Sequence, residues 1–318
     1  MESTPLKYRI DASFDSFDSF VRKVHTTDTH QAEAIIAKGE TMSSAVSEVD
    51  QAHEQVVAQA TENSKRYNYQ RDGFQISPGP LLTETQVRDA REHAWRVLNG
   101  IYETGIAPRT NTGGVDTAKH PPYIESQMPQ DADNVLHEIM SSSRMAEWAA
   151  EVTGAKRLKV FNFMVMAKYP GSSTKTVVGW HQDRRYFEKI INGRSVNVWV
   201  ALDDVPVELG PLRFVPGSHR WDALYDNGFF EHDTDRQKED IVVPEGQVWT
   251  ELDSVLPAGW ASAHHTHLLH GSGMNVGSKP RISMLLNYGI DEFTMVPESY
   301  FATRHDDLRA TPIVYQAA

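Results

Sequence analysis

The chain of 318 residues contains no cysteine. This absence excludes disulfide bonds, thiolate nucleophiles, iron–sulfur clusters and cysteine-ligated zinc fingers together. Basic residues are the minority charge, because 31 Lys and Arg stand against 43 Asp and Glu and the formal net charge is -12. Nucleic acids and anionic membranes bind through clustered Lys and Arg, so this balance disfavours both as partners.

Long apolar runs are also missing. No stretch reaches the roughly 18 apolar residues that a membrane-spanning helix needs. The opening run MESTPLKYRIDASFDSF lacks the apolar core of a secretory signal, and the closing run TPIVYQAA does not match the peroxisomal address S-K-L. These features predict a cytoplasmic protein.

Residues 1–65 differ in composition from the remainder. They are polar, rich in Ala, Glu, Gln, Thr and Ser, and lack tryptophan. From His30 to about Ser64 apolar residues recur at helical spacings, with Gly39 as a candidate break. We predict an N-terminal helical extension that packs on the main domain or joins two copies of the chain as a homo-oligomer. A disordered leader is the alternative.

Residues 66–318 form the predicted main domain. It opens with the strand-like run QRDGFQI and the amphipathic run TETQVRDAREHAWRVL, where Thr83 and Gln86 are candidate N-terminal caps. Residues 103–130 read as a loop that contains Tyr123 in the run HPPYIESQ. A further helical run, DADNVLHEIMSSSRMAEWAAEVTG, ends at Gly154.

After Gly154 the apolar residues alternate as they do in strands. The strand-like runs are LKVFNFMVMAKYP, SVNVWVALDDV, PLRFVPGSH, QVWTEL, WASAHHTHLLHG and RISMLLNYGI. Most are not separated by a helix long enough to cross between parallel strands. The pattern therefore predicts a mainly β fold with some α: a double-stranded β-helix barrel of the jelly-roll or cupin kind, with N-terminal and flanking helices.

The run GWHQDRRYFEKI contains the candidate metal-binding triplet His181-Gln182-Asp183. Random placement of the acids would give roughly two His-x-Asp/Glu matches, and His305-Asp306-Asp307 is another, so the triplet is weak evidence by itself. In a strand, residues two apart point to the same side, which predicts that His181 and Asp183 face one point.

A third ligand must come from a distant strand. The run ASAHHTHLLHGSGMN offers His264, His265, His267 and His270. Only His270 is followed by Gly-Ser and, eleven residues later, by Arg281. We therefore favour His270 as the ligand and expect His264 and His265 to be core residues of a buried strand.

Two histidines and one carboxylate on one face of a metal form the facial triad of non-haem Fe(II) oxygenases. Such a centre leaves positions for a chelating 2-oxo acid and for O₂. The far carboxylate of a 2-oxo acid needs a cationic partner, and the planar fork of an arginine suits it. The full set, ending in Arg281, is far more specific than the triplet alone.

Several motifs resemble the phytanoyl-CoA dioxygenase family of Fe(II)- and 2-oxoglutarate-dependent oxygenases. These are WHQD (180–183), NVWVALDDV (197–205), GPLRFVPGSH (210–219), PAGWA (257–261) and HGSGMN (270–275), which is followed by Pro280-Arg281. The similarity covers about residues 66–290. It departs from the family pattern at Leu209-Gly210, where Asn-Gly is usual, and at Gly259-Trp260, where Gly-Asp is common.

The resemblance implies a function and a set of roles. His181, Asp183 and His270 would bind Fe(II), and Arg281 with Ser272 would hold the distal carboxylate of 2-oxoglutarate. Trp199 would line the co-substrate pocket, and Asn162 is expected to face the same cavity. O₂ would be consumed to hydroxylate, desaturate or cyclise a free small molecule in specialised-metabolite biosynthesis.

Arg184 and Arg185 follow the triplet at the place where a substrate should enter. They are either an exposed pair balanced by the excess acids or a clamp for a substrate anion such as an acidic amino-acid derivative. Tyr123 is expected to add to the substrate wall.

Two other classes of protein remain open at this point. One is a cupin-like protein that binds a metal without redox activity, and it would need neither Arg281 nor 2-oxoglutarate. The other is a zinc hydrolase, because zinc also accepts two histidines and a carboxylate. No HExxH or similar motif supplies its general base.

Overall fold

The computed structural model describes residues 42–116, 121–171, 176–221, 229 and 231–317, and for residues 42–49 it describes the backbone alone. The chain divides into two compact units, Met1–Gln51 and Ala52–Ala318. Helix α1 (Met42–Arg66) is continuous, and Ala60 on it is buried in a cluster with Ile76 and Trp199. The predicted helix start near His30 and break at Gly39 lie outside the described residues. No helix in the described ranges is long and apolar enough to cross a membrane.

A large antiparallel sheet of eight strands forms one side of the second unit. Seven strands follow the order β1-β9-β6-β11-β4-β3-β2, and β12 also pairs with β4. Their bounds are β1 (Phe74–Ile76), β2 (Thr110–Asn111), β3 (Tyr123–Gln127), β4 (Arg157–Lys168), β6 (Ile191–Ala201), β9 (Ala261–His265), β11 (Arg281–Met295) and β12 (Ile313–Gln316).

A smaller antiparallel sheet has four strands in the order β5-β10-β7-β8. These are β5 (Val178–His181), β7 (Leu212–Phe214), β8 (Leu252–Ser254) and β10 (His270–Ser272). The predicted mainly β jelly-roll class is confirmed. The pairings among the described strands give two open sheets rather than one closed barrel.

Three helices lie in the runs where apolar periodicity predicts them, Glu84–Leu98, Asn134–Met140 and Ser143–Thr153, and three short helices were not predicted. In chain order the six are α2 (Tyr69–Asp72), α3 (Glu84–Leu98), α4 (Asn134–Met140), α5 (Ser143–Thr153), α6 (Arg184–Phe187) and α7 (Thr234–Asp240). Thr83 and Gln86 form a capping box that starts α3. The run predicted as one helix is two, α4 and α5. The second ends at Gly154, whose φ of 68° suits glycine.

The two faces of the large sheet differ in polarity. On β4, Phe163, Val165 and Ala167 belong to the apolar core that also contains the buried stripes of α3, α4 and α5. The alternate residues of β4, including Asn162 and Lys168, are buried on the opposite face. The same alternation on β11 gives Ile282, Met284 and Leu286 to the apolar core. Polar side chains of the large sheet therefore point toward the small sheet, and this interior holds the site.

One loop prediction and one strand prediction were wrong because they ignored distant strand partners. Residues 123–127 form β3, paired with β4, so Tyr123 lies in a strand rather than in a loop. The run QVWTEL is not a strand, since β8 begins only at its last residue, Leu252. Both errors arise because strand formation depends on a distant partner: β4 supplies one for β3, whereas residues 247–251 have none.

Candidate metal centre

His181 and His270 face each other across adjacent strands. They are paired Cα partners of β5 and β10, and their ring centroids lie 4.1 Å apart. Nδ1 of His181 lies 2.8 Å from the carbonyl oxygen of Gly179, and Nδ1 of His270 lies 2.9 Å from that of Leu268. Each Nδ1–H therefore donates to a backbone carbonyl, which leaves both Nε2 lone pairs for a metal.

Asp183 joins the two histidines. Its Oδ1 lies 3.4 Å from Nε2 of His181, and its Oδ2 lies 3.5 Å from Nε2 of His270. One ligand atom from each of the three residues lies within 4.8 Å of the other two. Strand alternation was the wrong reason for this convergence: β5 ends at His181, and Asp183, with φ -62° and ψ -28°, begins the short helix α6.

The electrostatic environment keeps Asp183 and His270 in the forms that bind a metal. Burial alone would raise the pKa of Asp183, but His270, His181 and His264 hold it well below its ordinary value. Burial and the neighbouring His181 lower the pKa of His270 to about 3. A deprotonated carboxylate and a neutral imidazole are the forms that bind metals. The donor set therefore fits Fe(II).

His264 is a third imidazole at the centre that the sequence analysis assigned to the core. It is buried, its ring centroid lies 4.7 Å from that of His270, and its Nε2 lies 3.6 Å from Oδ2 of Asp183. His264 lies on β9, which pairs directly with β6, and this pairing places the His264 ring beside Asp183. Sequence pattern gave no signal for this, because the pairing of β9 with β6 is not local.

Arg281 is buried beside the centre, and no acid among the described residues forms an ion pair with it, although the charge of Asp203 acts on it. Its guanidinium donates to the carbonyl oxygen of Gly210 and lies 5.2 Å from the ring centroid of Trp199. Its Nε is buried without an acceptor, and burial lowers the pKa of the group to about 10. Trp199 therefore lies against the Arg281 guanidinium, and its role beside a bound co-substrate stays a prediction.

Lys168 is a second buried cation, and the sequence analysis missed it. It is the Cα partner of Arg281 across β4 and β11 and is 0% exposed. Its Nζ donates to Oγ of Ser272 at 2.6 Å and to the carbonyl oxygen of Gly273 at 2.6 Å. Burial, with Arg281 and Arg213, lowers the pKa of Lys168 well below its ordinary value. The available signal was a lysine that ends the apolar run FNFMVMAK.

Arg281 and Lys168 together form an anion site, which we call the cation pair. Among the residues that the structure describes, no carboxylate forms an ion pair with either of them. A buried charge is costly unless a counter-charge accompanies it. The Ser272 hydroxyl, which accepts from Lys168, keeps its own proton to donate. A carboxylate ligand would satisfy all three groups.

Asn162 and Tyr123, which were predicted to line the co-substrate and substrate cavities, lie at other levels of the interior. Asn162 lies six residues from Lys168, roughly 20 Å along β4, so it is at the level of Asp183 rather than of the cation pair. Tyr123 is buried, and burial and Glu125 raise its pKa well above the ordinary value, with Arg281 and Asp183 close enough to affect it.

Arg184 and Arg185 occupy the first turn of α6, so strand alternation does not decide which one faces the centre. Nη1 of Arg184 lies 3.5 Å from the carbonyl oxygen of Gly193, and Nη1 of Arg185 lies 3.8 Å from Glu188. Two aromatic residues that sequence reasoning missed lie close to the centre. The ring centroids of Phe229 and Tyr186 are 5.0 Å and 6.3 Å from that of His181.

Comparison with known proteins decides the family. The family model described as phytanoyl-CoA dioxygenase (PhyH) matches residues 69–283, more than half of the chain. The chain belongs to the phytanoyl-CoA dioxygenase family. This result confirms the resemblance drawn from the motifs, and the PhyH match contains the three candidate ligands and Arg281.

Two curated proteins are similar to this PhyH-family chain. One is a probable alpha-ketoglutarate-dependent hypophosphite dioxygenase of Stutzerimonas stutzeri, 25% identical over 49% of this chain and 53% of its own length. The other is an L-proline trans-4-hydroxylase of Streptomyces griseoviridis, 29% identical over 50% of this chain and 64% of its own length. The chain thus spans between half and two thirds of these relatives.

A solved structure supports the fold. The epimerase SnoN in complex with Fe³⁺, alpha ketoglutarate and nogalamycin RO superposes with a TM-score of 0.57 at 23% identity, covering 78% of this chain and 87% of SnoN. At this identity the similarity establishes the shared fold of this PhyH-family member.

Proposed function

We propose that the protein is an Fe(II)- and 2-oxoglutarate-dependent dioxygenase that oxidises an unactivated C–H bond of a small molecule. The observation that carries the proposal is the combination of two sites in one interior. His181, Asp183 and His270 offer a facial metal-binding set, and the cation pair beside them lacks a carboxylate partner. A metal-binding protein without a 2-oxo acid would have no need of two buried basic side chains that form no ion pair.

Each residue has a defined task in this scheme. His181, Asp183 and His270 hold the iron, and the backbone carbonyls of Gly179 and Leu268 keep both imidazoles correctly oriented. Arg281, Lys168 and Ser272 bind and orient the distal carboxylate of 2-oxoglutarate. Trp199, stacked beside Arg281, excludes water from that carboxylate and so strengthens the pairing.

The bound iron, with 2-oxoglutarate and O₂, supplies the oxidising power that breaks the C–H bond. The protein supplies position and exclusion of solvent, because His181, His270 and the cation pair are buried between the two sheets and Asp183 is partly buried there. Hydroxylation, desaturation and ring closure are all available outcomes, and they are decided by how the substrate is held.

The substrate that we propose is a small molecule with an anionic group, such as an amino-acid derivative. Arg184 and Arg185 lie directly after Asp183, and Phe229, Tyr186 and Tyr123 provide aromatic walls around His181. The two curated relatives are named for proline and hypophosphite, which are both small and both carry an anion. We place the reaction in biosynthesis. We place the protein in the cytoplasm, and fractionation of the producing cells would test this location.

The test is anaerobic addition of Fe(II) and 2-oxoglutarate to the metal-free protein. We expect a weak visible absorption band that needs both components and is absent from His181→Ala. In air, the wild-type protein should then form succinate only when iron is present. A protein that binds iron without the band would be a metal-binding module, and one that prefers zinc and forms no succinate would be a hydrolase candidate.

The substrate class has a separate test. Amino acids and small organic acids are screened for stimulation of succinate formation. For a stimulating compound, Arg184→Ala should raise its KM while the requirement for 2-oxoglutarate stays unchanged. Stimulation only by uncharged compounds, or an unchanged KM, would reject the anionic clamp while leaving the oxygenase proposal standing.

A further inference from the structure

Three buried asparagines lie in a row across the large sheet. Asn197 on β6, Asn287 on β11 and Asn162 on β4 are paired Cα partners in adjacent strands. Their exposed fractions are 0%, 0% and 5%. We call this set the asparagine row.

Hydrogen bonds link the row to the metal centre. Nδ2 of Asn162 donates to Oδ1 of Asn287 at 2.8 Å, and Nδ2 of Asn287 donates to Oδ1 of Asn197 at 2.7 Å. Nδ2 of Asn197 then donates to Oδ2 of Asp183. Nδ2 of Asn197 also lies 3.2 Å from Nε2 of His264, so its two hydrogens serve a carboxylate and an imidazole.

The charge of Asp183 fixes the direction of every bond in the row. An ionised carboxylate only accepts hydrogen bonds, so Asn197 must present its NH₂ to Asp183 and its carbonyl oxygen to Asn287. Asn287 must therefore present its NH₂ to Asn197 and its carbonyl oxygen to Asn162, which donates to it in turn. The row therefore ends in the carbonyl oxygen of Asn162, which is buried without a donor among the described residues. The amide orientations follow from this logic and match the assigned atoms.

A structural role alone is a poor explanation of the asparagine row. On the same face of the same strands, the residues two positions away, Trp199 and Leu285, belong to an apolar cluster. Buried amides stabilise a core less than apolar side chains do, and an amide with an unpaired atom costs stability. What the asparagine row provides in return for this lower stability is a hydrogen bond to one oxygen of the Asp183 carboxylate.

We propose that the asparagine row is a positioning network for the metal-binding carboxylate. Asn197, held by Asn287 and Asn162, occupies Oδ2 of Asp183 and leaves Oδ1, on the side of His181, as the oxygen that binds the metal. This inference rests on the proposed function, since it requires a metal at the centre. Groups that hold metal ligands in this way contribute about 10- to 100-fold to metal affinity.

The experiment is a titration of the metal-free protein with Co(II), followed by its visible absorption. We expect Asn197→Ala to weaken Co(II) binding by about 10- to 100-fold and to change the shape of the spectrum. Asn287→Asp keeps the shape of the side chain but cannot donate when ionised, so it should weaken binding too, by less than Asn197→Ala. Because Asn287→Asp leaves no cavity, it serves if Asn197→Ala fails to fold.

The matched control is Asn111→Ala. Asn111 is an asparagine of the same sheet whose Nδ2 donates to the carbonyl oxygen of Val97 at 2.7 Å, on β2 and away from the centre. It should lower the melting temperature and leave Co(II) affinity and spectrum unchanged. Row variants that behave like Asn111→Ala would show a structural role and overturn the proposal.

The titration also separates this inference from the proposed function. If wild-type protein and His181→Ala fail alike to bind Co(II), the metal centre and the asparagine row are both rejected. If wild-type protein binds Co(II), His181→Ala does not, and the row variants match wild type, only the row is rejected.

Discussion

At the residue scale, the cation pair is the feature with the largest electrostatic consequence. Arg281 is 2% exposed, its guanidinium has one carbonyl acceptor, and its Nε is buried without an acceptor. We expect Arg281→Ala to raise the Kd for 2-oxoglutarate roughly 30-fold or more, because truncating a buried charge partner costs about 2–5 kcal/mol. Arg281→Lys should recover only part of this, since it lacks the fork. Calorimetry on the Co(II)-loaded protein would measure both, and an unchanged Kd would reject the assignment.

Lys168 makes binding of 2-oxoglutarate depend on pH. Burial, Arg281 and Arg213 lower the pKa of Lys168 in the ligand-free protein. At pH values between that lowered pKa and the ordinary pKa of lysine, the Lys168 amine of the folded protein therefore carries no proton. A bound carboxylate restores the proton. Affinity should therefore fall as pH rises through this window, while the stability of the ligand-free protein rises with pH.

Proton uptake provides the measurement for Lys168. The binding enthalpy of 2-oxoglutarate should differ between two buffers of different ionisation enthalpy, and in Lys168→Met the difference should vanish. Equal enthalpies for the wild-type protein in both buffers would contradict a lowered pKa at Lys168.

At the scale of elements, the close approach of β5 and β10 sets the spacing of the two imidazoles. A Cβ on Gly271 would lie 2.7 Å from the carbonyl oxygen of Val178, which is backbone and cannot move aside. Gly271→Ala should push the strands apart and weaken Co(II) binding by roughly 10-fold or more without altering any ligand. Gly79→Ala, where a Cβ meets nothing within 4 Å, is the control. Equal affinities in the two variants would show that strand spacing is not critical.

Elements with strong local signals could be predicted from sequence. The capping box of α3, the αL end of α5 and the apolar alternation of β4 and β11 depend on nearby residues, and the structure confirms them. Elements that depend on distant partners could not. Strand β3, His264 and Lys168 owe their positions to β4, β6 and β11, and no local pattern reports those pairings. The turn that carries Asp183 was read as a strand because it directly continues β5, and the triplet itself does not mark where the strand ends.

At the scale of the whole molecule, the polar interior ties stability to ligand binding. A domain whose interior contains unpaired cations and amides is stabilised by whatever binds only the folded state. At concentrations about 100 times each Kd, one ligand contributes about 2.7 kcal/mol. We expect 2-oxoglutarate added to the metal-loaded protein to raise the melting temperature by roughly 5–10 °C.

Arg281→Met should reverse this pattern. Without ligand its melting temperature should equal or exceed that of the wild-type protein, since a buried unpaired charge is removed. With 2-oxoglutarate it should gain little. Calorimetric scans of both proteins, with and without ligand, would test this. A variant that is destabilised without ligand and still stabilised by it would contradict the role of the cation pair.

The two sheets supply different parts of the site. The small sheet provides His181 and His270, whereas the large sheet provides Arg281 and Lys168. A dicarboxylate bound at both ends therefore acts as a cross-link between the sheets, and the gap between them sets the length of acid that fits. In the proposed scheme oxaloacetate, one carbon shorter, would not engage both sheets at once, and the selection of a five-carbon acid would become a property of how two sheets pack.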